Sequence, residues 1–174
     1  MDDIRYPIGH FVHDGPISDE ELHRAIDEIE ALPSELRAAV EGLTEEQLDT
    51  PYRPGGWKVR QVVHHIADSH LNSYARFKWA LTEDLPTIKP YDEELWAELP
   101  DYHVVPAETS LVLTAALHER LVGMLRALSR EELARQYDHP ELGRTALEFV
   151  VLNFSWHGRH HVAHITQLRD RMGW

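Results

Sequence analysis

Trp156-His157-Gly158-Arg159-His160-His161-Val162-Ala163-His164-Ile165 gathers four of the chain's histidines into one short stretch near the C-terminus. On an α-helix each residue turns about 100°, so positions four apart share a face. With His157 set at zero, His161 falls at about +40°, His164 at about −20° and His160 at about −60°. The apolar residues of the same segment (Val150, Phe154, Ile165, Leu168 and Met172) fall at about +20° to +80°. His157 and His161 therefore lie inside the stripe that a packed helix buries. His160 and His164 sit at its edge with Asn153 and Arg171. Two imidazoles spaced i, i+4 on an inward face can close on one metal ion. An inward histidine is as readily a core residue satisfied by hydrogen bonds, so a metal site needs a third ligand from elsewhere.

The helical period recurs through the chain. Ser18-Asp19-Glu20-Glu21 is a capping box that opens a first helix with Leu22, Ile26, Ile29, Leu36, Val40 and Leu43 on one face. Pro33 inside it predicts a kink or a restart at Ser34. A second long helix runs from Trp57 to about Thr82 on Val59, Val62, Val63, Ile66, Tyr74, Phe77 and Leu81, and carries His64, His65 and His70. A third spans about Thr109 to Leu128, and the fourth about Thr145 to Met172. A short helix is expected over Asp92 to Leu99, and Pro100 to Glu108 reads as a loop. Residues 1–17 read as an irregular arm with turns at Tyr6-Pro7-Ile8-Gly9 and Gly15-Pro16. Thr44-Glu45-Glu46-Gln47 and Ser129-Arg130-Glu131-Glu132 each follow a leucine at the end of a long helix, which makes a weak internal repeat. Four long amphipathic helices without strand signals predict an all-α four-helix bundle with short connecting helices. The long connection after Thr82 allows the second and third helices to lie other than as simple neighbours.

Composition narrows the function. With 174 residues and no low-complexity tract, residues 1–174 fit one domain. A net charge of −13 argues against a nucleic-acid partner, which needs clustered Lys and Arg. No apolar run approaches a membrane span, and Met1-Asp2-Asp3 lacks a signal peptide's basic start, so a cytoplasmic location is expected. The chain has no cysteine, which removes disulfides, thiolate metal sites and an enzymic thiol nucleophile. The available ligands are imidazoles, which suit Zn, Ni, Cu or Fe better than metals that prefer oxygen.

A bundle builds metal sites from facing helices, so the third ligand belongs on the second helix. Periodicity alone leans towards His70, near the centre of the apolar stripe; His65 lies at its edge and His64 on the far side. The stretches PYRPGGWKVRQVVHHIADSHLNSYARFK (51–78), WHGRHHVAHIT (156–166) and RMGW (171–174), together with YPIG (6–9), resemble the DinB-like superfamily of metal-binding four-helix bundles. The nearer similarity is to its YfiT group, provisionally described as metal-dependent hydrolases and related to bacillithiol S-transferases. That resemblance runs from end to end. It implies one histidine followed by a large aliphatic residue on the second helix plus an i, i+4 pair on the fourth: His65, His157 and His161. It also implies a homodimer. On pattern alone His70 stays open.

Three neutral imidazoles would hold one divalent transition metal per chain, zinc ahead of nickel, and leave a coordination position open, as in catalytic rather than structural sites. Such a cation can polarise a carbonyl, lower the pKa of water, or ionise a thiol that arrives as substrate. The catalytic residues themselves are unknown from sequence. No glutamate follows His157, so the His-Glu-x-x-His peptidase pattern is missing. Asp68 and Asn153, each one turn from an expected ligand, could orient an imidazole, although a solvated carboxylate is the commoner role for Asp68. His160 and His164 read as edge residues before proton shuttles. Trp57 and Trp156 read as core before pocket walls. The expected function is a metal-dependent enzyme acting on a small molecule, by thiol transfer or by hydrolysis; a non-catalytic metal-binding or stress-associated module is the alternative.

Overall fold

The computed structural model describes residues 4–174, so the expectation drawn from Met1-Asp2-Asp3 lies outside the described residues. Four long helices form the bundle: α1 (Asp19–Val40), α3 (Val59–Thr82), α6 (Ala107–Ala127) and α8 (Leu147–Met172). Between them lie α2 (Glu45–Leu48), α4 (Glu93–Ala97), α5 (Asp101–Val104), α7 (Arg130–Leu133) and the strands β1 (Gln136–His139) and β2 (Gly143–Ala146). The expected capping boxes are present. Ser18 and Glu21 exchange bonds at the start of α1, and Thr44–Gln47 and Ser129–Glu132 do the same at α2 and α7. Each pair satisfies backbone N–H groups that have no partner within the helix.

The packing order corrects one expectation. α1 packs on α6 and α8, and α3 also packs on α6 and α8. The second and third long helices are therefore neighbours, and it is α1 and α3 that face each other across the diagonal. The connection between α3 and α6 is not slack: its short helices α4 and α5 pack back onto α3 and so deliver α6 alongside it.

Three more expectations change. α1 runs unbroken through Pro33. Proline removes the N–H that would bond the carbonyl four residues earlier, and that carbonyl, on Ile29, is instead bonded by His118 Nδ1 at 2.7 Å. The all-α reading also omits a small antiparallel hairpin, β1 with β2, in the register Gln136↔Ala146 to His139↔Gly143. Its strands are four residues each, too short and too polar to show an alternating pattern; β1 buries only Tyr137 and His139. Residues 101–104, read as loop, form α5.

The apolar core is divided. One cluster joins Ile26, Ile29, Phe77, Leu121, Val150 and Phe154. The other joins Leu32, Leu36, Val62, Ile66, Leu111 and Ile165. Along α3, α6 and α8 a histidine lies between the residues of one cluster and those of the other: His70, His118, and His157 with His161. There α8 also approaches α1 closely. A Cβ on Gly158 would stand 2.4 Å from Leu32 Cδ2, so any larger residue here would force the Leu32 side chain to shift.

The arm is irregular but fastened. Gly9 N–H bonds the Tyr6 carbonyl at 2.9 Å, closing the expected turn. Gln167 Nε2 donates to the Pro7 carbonyl at 3.2 Å and Trp156 Nε1 to the Gly9 carbonyl at 3.2 Å, which straps residues 5–9 along α8.

Candidate metal centre

His65 from α3 and His157 and His161 from α8 converge, each offering one ring nitrogen within 4.8 Å of the other two. His65 Nε2 and His157 Nε2 stand 3.3 Å apart. Nitrogens bound to a tetrahedral zinc at about 2.0–2.1 Å stand about 3.3–3.4 Å from one another, so this pair is already spaced for a shared ion. Among the described residues the other ring nitrogen of His65, Nδ1, is buried with no hydrogen-bond partner, so this imidazole interacts through nitrogen at the cluster. The donor set and its spacing fit a divalent transition metal. They fit poorly as a self-sufficient polar core, which would satisfy both nitrogens of each ring.

His70, the candidate favoured by periodicity, is fully buried behind this group rather than in it. Its Nδ1 meets His118 Nε2 at 2.6 Å, and its Nε2 faces His157 Nδ1 at 3.4 Å. His64 points to the opposite side, where Nδ1 meets Ser110 Oγ at 2.7 Å. Neither proposed orienting group takes that role. Asp68 Oδ2 accepts from Tyr102 OH at 2.6 Å, and burial raises its pKa. Asn153 is half-buried, and the His157 nitrogen it was expected to orient faces His70 instead. His118 was not singled out in the sequence; its signal is a histidine among the apolar positions of the third helix, between Leu117 and Leu121.

His160 and His164, at the edge of the apolar stripe, are both buried. His164 Nε2 donates to the Arg5 carbonyl at 3.0 Å, and His164 Nδ1 lies 3.3 Å from His161 Nδ1. His160 stacks on Trp156 with ring centroids 4.6 Å apart. His160, His161 and His164 form a second close trio, but His164 has one nitrogen committed to a main-chain carbonyl and His161 belongs to both groups.

Burial dominates the electrostatics. It holds His157 and His161 well below the ordinary imidazole value, with neighbouring imidazoles adding to the effect. Burial, then repulsion from His160 and His164, brings His65 to about 4. His160 and His164 are also lowered to about 4, burial again first. Neutral imidazole is the ligating form, so desolvation prepares these rings to bind a cation.

The cluster forms the floor of a cleft of about 530 Å³. Trp57 and Trp156 line it; Trp57 also packs against the apolar core, as expected, so it serves both roles. Trp57 lies 4.5 Å from His65 between centroids and its Nε1 donates to Glu94 at 3.2 Å. Arg5, Arg53 and Arg76 line the mouth together with Glu93 and Glu94.

A helical bundle that aims imidazoles from two helices at one point defines a metal-binding bundle. A model of the DinB superfamily matches residues 28–165, and the chain belongs to that superfamily. Relatives from Bacillus cereus and Bacillus anthracis, 56% and 55% identical over 174 residues and covering 100% of both chains, are provisionally named metal-dependent hydrolases. Among solved structures the chain resembles YfiT from Bacillus subtilis, with 48% identity and a TM-score of 0.95 over 98% of each chain. That protein is described as a probable metal-dependent hydrolase with an unusual four-helix bundle topology. These names, with the histidine clusters, support a divalent metal and an enzyme of hydrolase type. Among the described residues no helix is long and apolar enough to cross a membrane.

Proposed function

We propose that this protein is a metal-dependent hydrolase of small molecules, with His65, His157 and His161 as the ligands of one divalent transition metal, zinc before nickel. The observation that carries this reading is the convergence of three neutral imidazoles at the floor of an open cleft. A cation held there would supply Lewis acidity, lowering the pKa of a bound nucleophile and polarising a substrate carbonyl. The residues around it do the rest. Trp57 and Trp156 exclude water from the sides, and the mouth sets Arg53 and Arg76 against Glu93 and Glu94, a mixed-charge rim suited to a polar small molecule.

One observation favours a second reading, transfer of a low-molecular-weight thiol. Among the described residues no carboxylate hydrogen-bonds to any of the three ligand histidines, and Asp68 is engaged by Tyr102. Water attack benefits from a general base, whereas a thiol ionised at the site is already a strong nucleophile. The chain has no cysteine, so that thiol would be a substrate.

Zinc-loaded and nickel-loaded protein assayed on ester, amide and lactone panels, beside monochlorobimane with bacillithiol, mycothiol or glutathione, separates the readings. Metal-dependent turnover of the first panel supports hydrolysis. Metal-dependent conjugation in the second replaces it with thiol transfer. Stoichiometric metal with no turnover in either favours a non-catalytic metal-binding module. A cytoplasmic homodimer is part of the proposal, checked by light scattering and cell fractionation.

A further inference from the structure

We propose that two histidine relays, each anchored on a main-chain carbonyl, fix Nε2 as the free nitrogen of both His157 and His161. One runs from the Ile29 carbonyl through His118 and His70 to His157. The other runs from the Arg5 carbonyl through His164 to His161. The proposal rests on His157 and His161 being ligands and concerns the residues behind them.

The direction of each relay follows from its anchor, because a carbonyl can only accept. The Ile29 carbonyl is available because Pro33 supplies no N–H to it, so His118 Nδ1 must carry the proton across the 2.7 Å contact. His118 is only 2% exposed and His70 0%, and among the described residues neither ring is bonded to a carboxylate, so both are neutral. A neutral His118 protonated at Nδ1 has a bare Nε2, which accepts from His70 Nδ1 at 2.6 Å. His70 then has a bare Nε2, which accepts from His157 Nδ1 at 3.4 Å. His157 is left with its lone pair at Nε2, the atom that stands 3.3 Å from His65 Nε2. On the arm side, His164 Nε2 must donate to Arg5 at 3.0 Å, so its bare Nδ1 accepts from His161 Nδ1 at 3.3 Å, and the lone pair of His161 again falls on Nε2. Two unrelated carbonyls thus lead to the same tautomer on residues one helical turn apart. A ligand imidazole whose second nitrogen is bonded keeps its orientation and gains basicity. His70, His118 and His164 are positioning residues.

Long-range ¹⁵N–¹H imidazole NMR on the metal-free, full-length protein at neutral pH reads the relays directly. Nδ1–H is expected on His118, His70, His157 and His161, and Nε2–H on His164. An Nε2–H tautomer at His157 or His161 overturns the proposal, even where zinc still binds stoichiometrically. Zinc titration against a chelating dye then compares His70→Leu with His70→Gln. Leucine removes the acceptor for His157 Nδ1–H and is expected to weaken zinc by about 10–100-fold, while the glutamine carbonyl restores most of that loss. Equal affinities in the two variants overturn the relay as a positioning device. The expected tautomers in a wild-type protein that binds no zinc support the relays and overturn the metal assignment instead.

Discussion

The carbonyl of Ile29 takes its hydrogen bond from His118, 2.7 Å away on a different helix, because Pro33 has no proton to give it. The proline that sequence reading treats as a helix breaker therefore ties α1 to α6. His118→Leu leaves a buried carbonyl unsatisfied and is expected to destabilise the fold by about 1–3 kcal/mol. Adding Pro33→Ala restores an N–H for that carbonyl, so the double variant recovers part of the loss. Urea unfolding of the two single variants and the double closes the cycle. Strict additivity would mean that His118 and residue 33 do not share this acceptor.

Removal of His65, His157 or His161 by alanine is expected to abolish stoichiometric zinc, a larger loss than the roughly 10–100-fold typical of a supporting partner. His70→Ala keeps the stoichiometry and loses only affinity. Elemental analysis of untagged protein and chelator competition distinguish the two behaviours. Retained stoichiometric metal in His65→Ala would reassign the ligand on α3.

Metal-free protein should lose stability as pH falls from about 6.5 towards 4. An unfolded histidine titrates near about 6.5, whereas His65, His160 and His164 stay neutral until about 4. Between those values the unfolded chain binds more protons, so acid favours unfolding and stability rises with pH. His65 alone contributes a slope approaching about 1.4 kcal/mol per pH unit. Above about 7 the dependence from these groups vanishes. Urea midpoints at closely spaced pH values test this, and a flat profile from 6.5 to 4 would contradict it.

Gly158→Ala gains about 1 kcal/mol of helix propensity but drives a methyl against Leu32, which is buried at 2% exposure. Overpacking costs about 1–3 kcal/mol, so net destabilisation is expected. Because residue 158 adjoins His157, zinc affinity should fall with it. Thermal melts with and without zinc measure both effects; a variant more stable than the parent and equal in affinity would show that α1 and α8 can separate without consequence.

The long helices and their caps were legible because each signal is local: Ser18 with Glu21, Thr44 with Gln47, and apolar residues at helical spacing. The i, i+4 pair on α8 was legible for the same reason. The choice between His65 and His70 was not, since both lie near one stripe and only the position of α8 decides which ring joins both His157 and His161 and which meets His157 from behind. His118 and Arg5 were invisible as participants because each contact is made to a main-chain carbonyl distant in sequence, that of Ile29 for His118 and that of Arg5 for His164, and a carbonyl has no signature in a residue string. The hairpin was missed because strands of four residues each are too short to display a period.

The division of the apolar core into two clusters by a layer of imidazoles has an engineering consequence. Phe77, Leu121 and Val150 on one side and Leu36, Val62 and Leu111 on the other belong to separate apolar clusters. The effects of substitutions in the two should sum. Either end of the barrel of helices can thus be hardened against heat independently, while the chemistry at its waist is left as evolution tuned it.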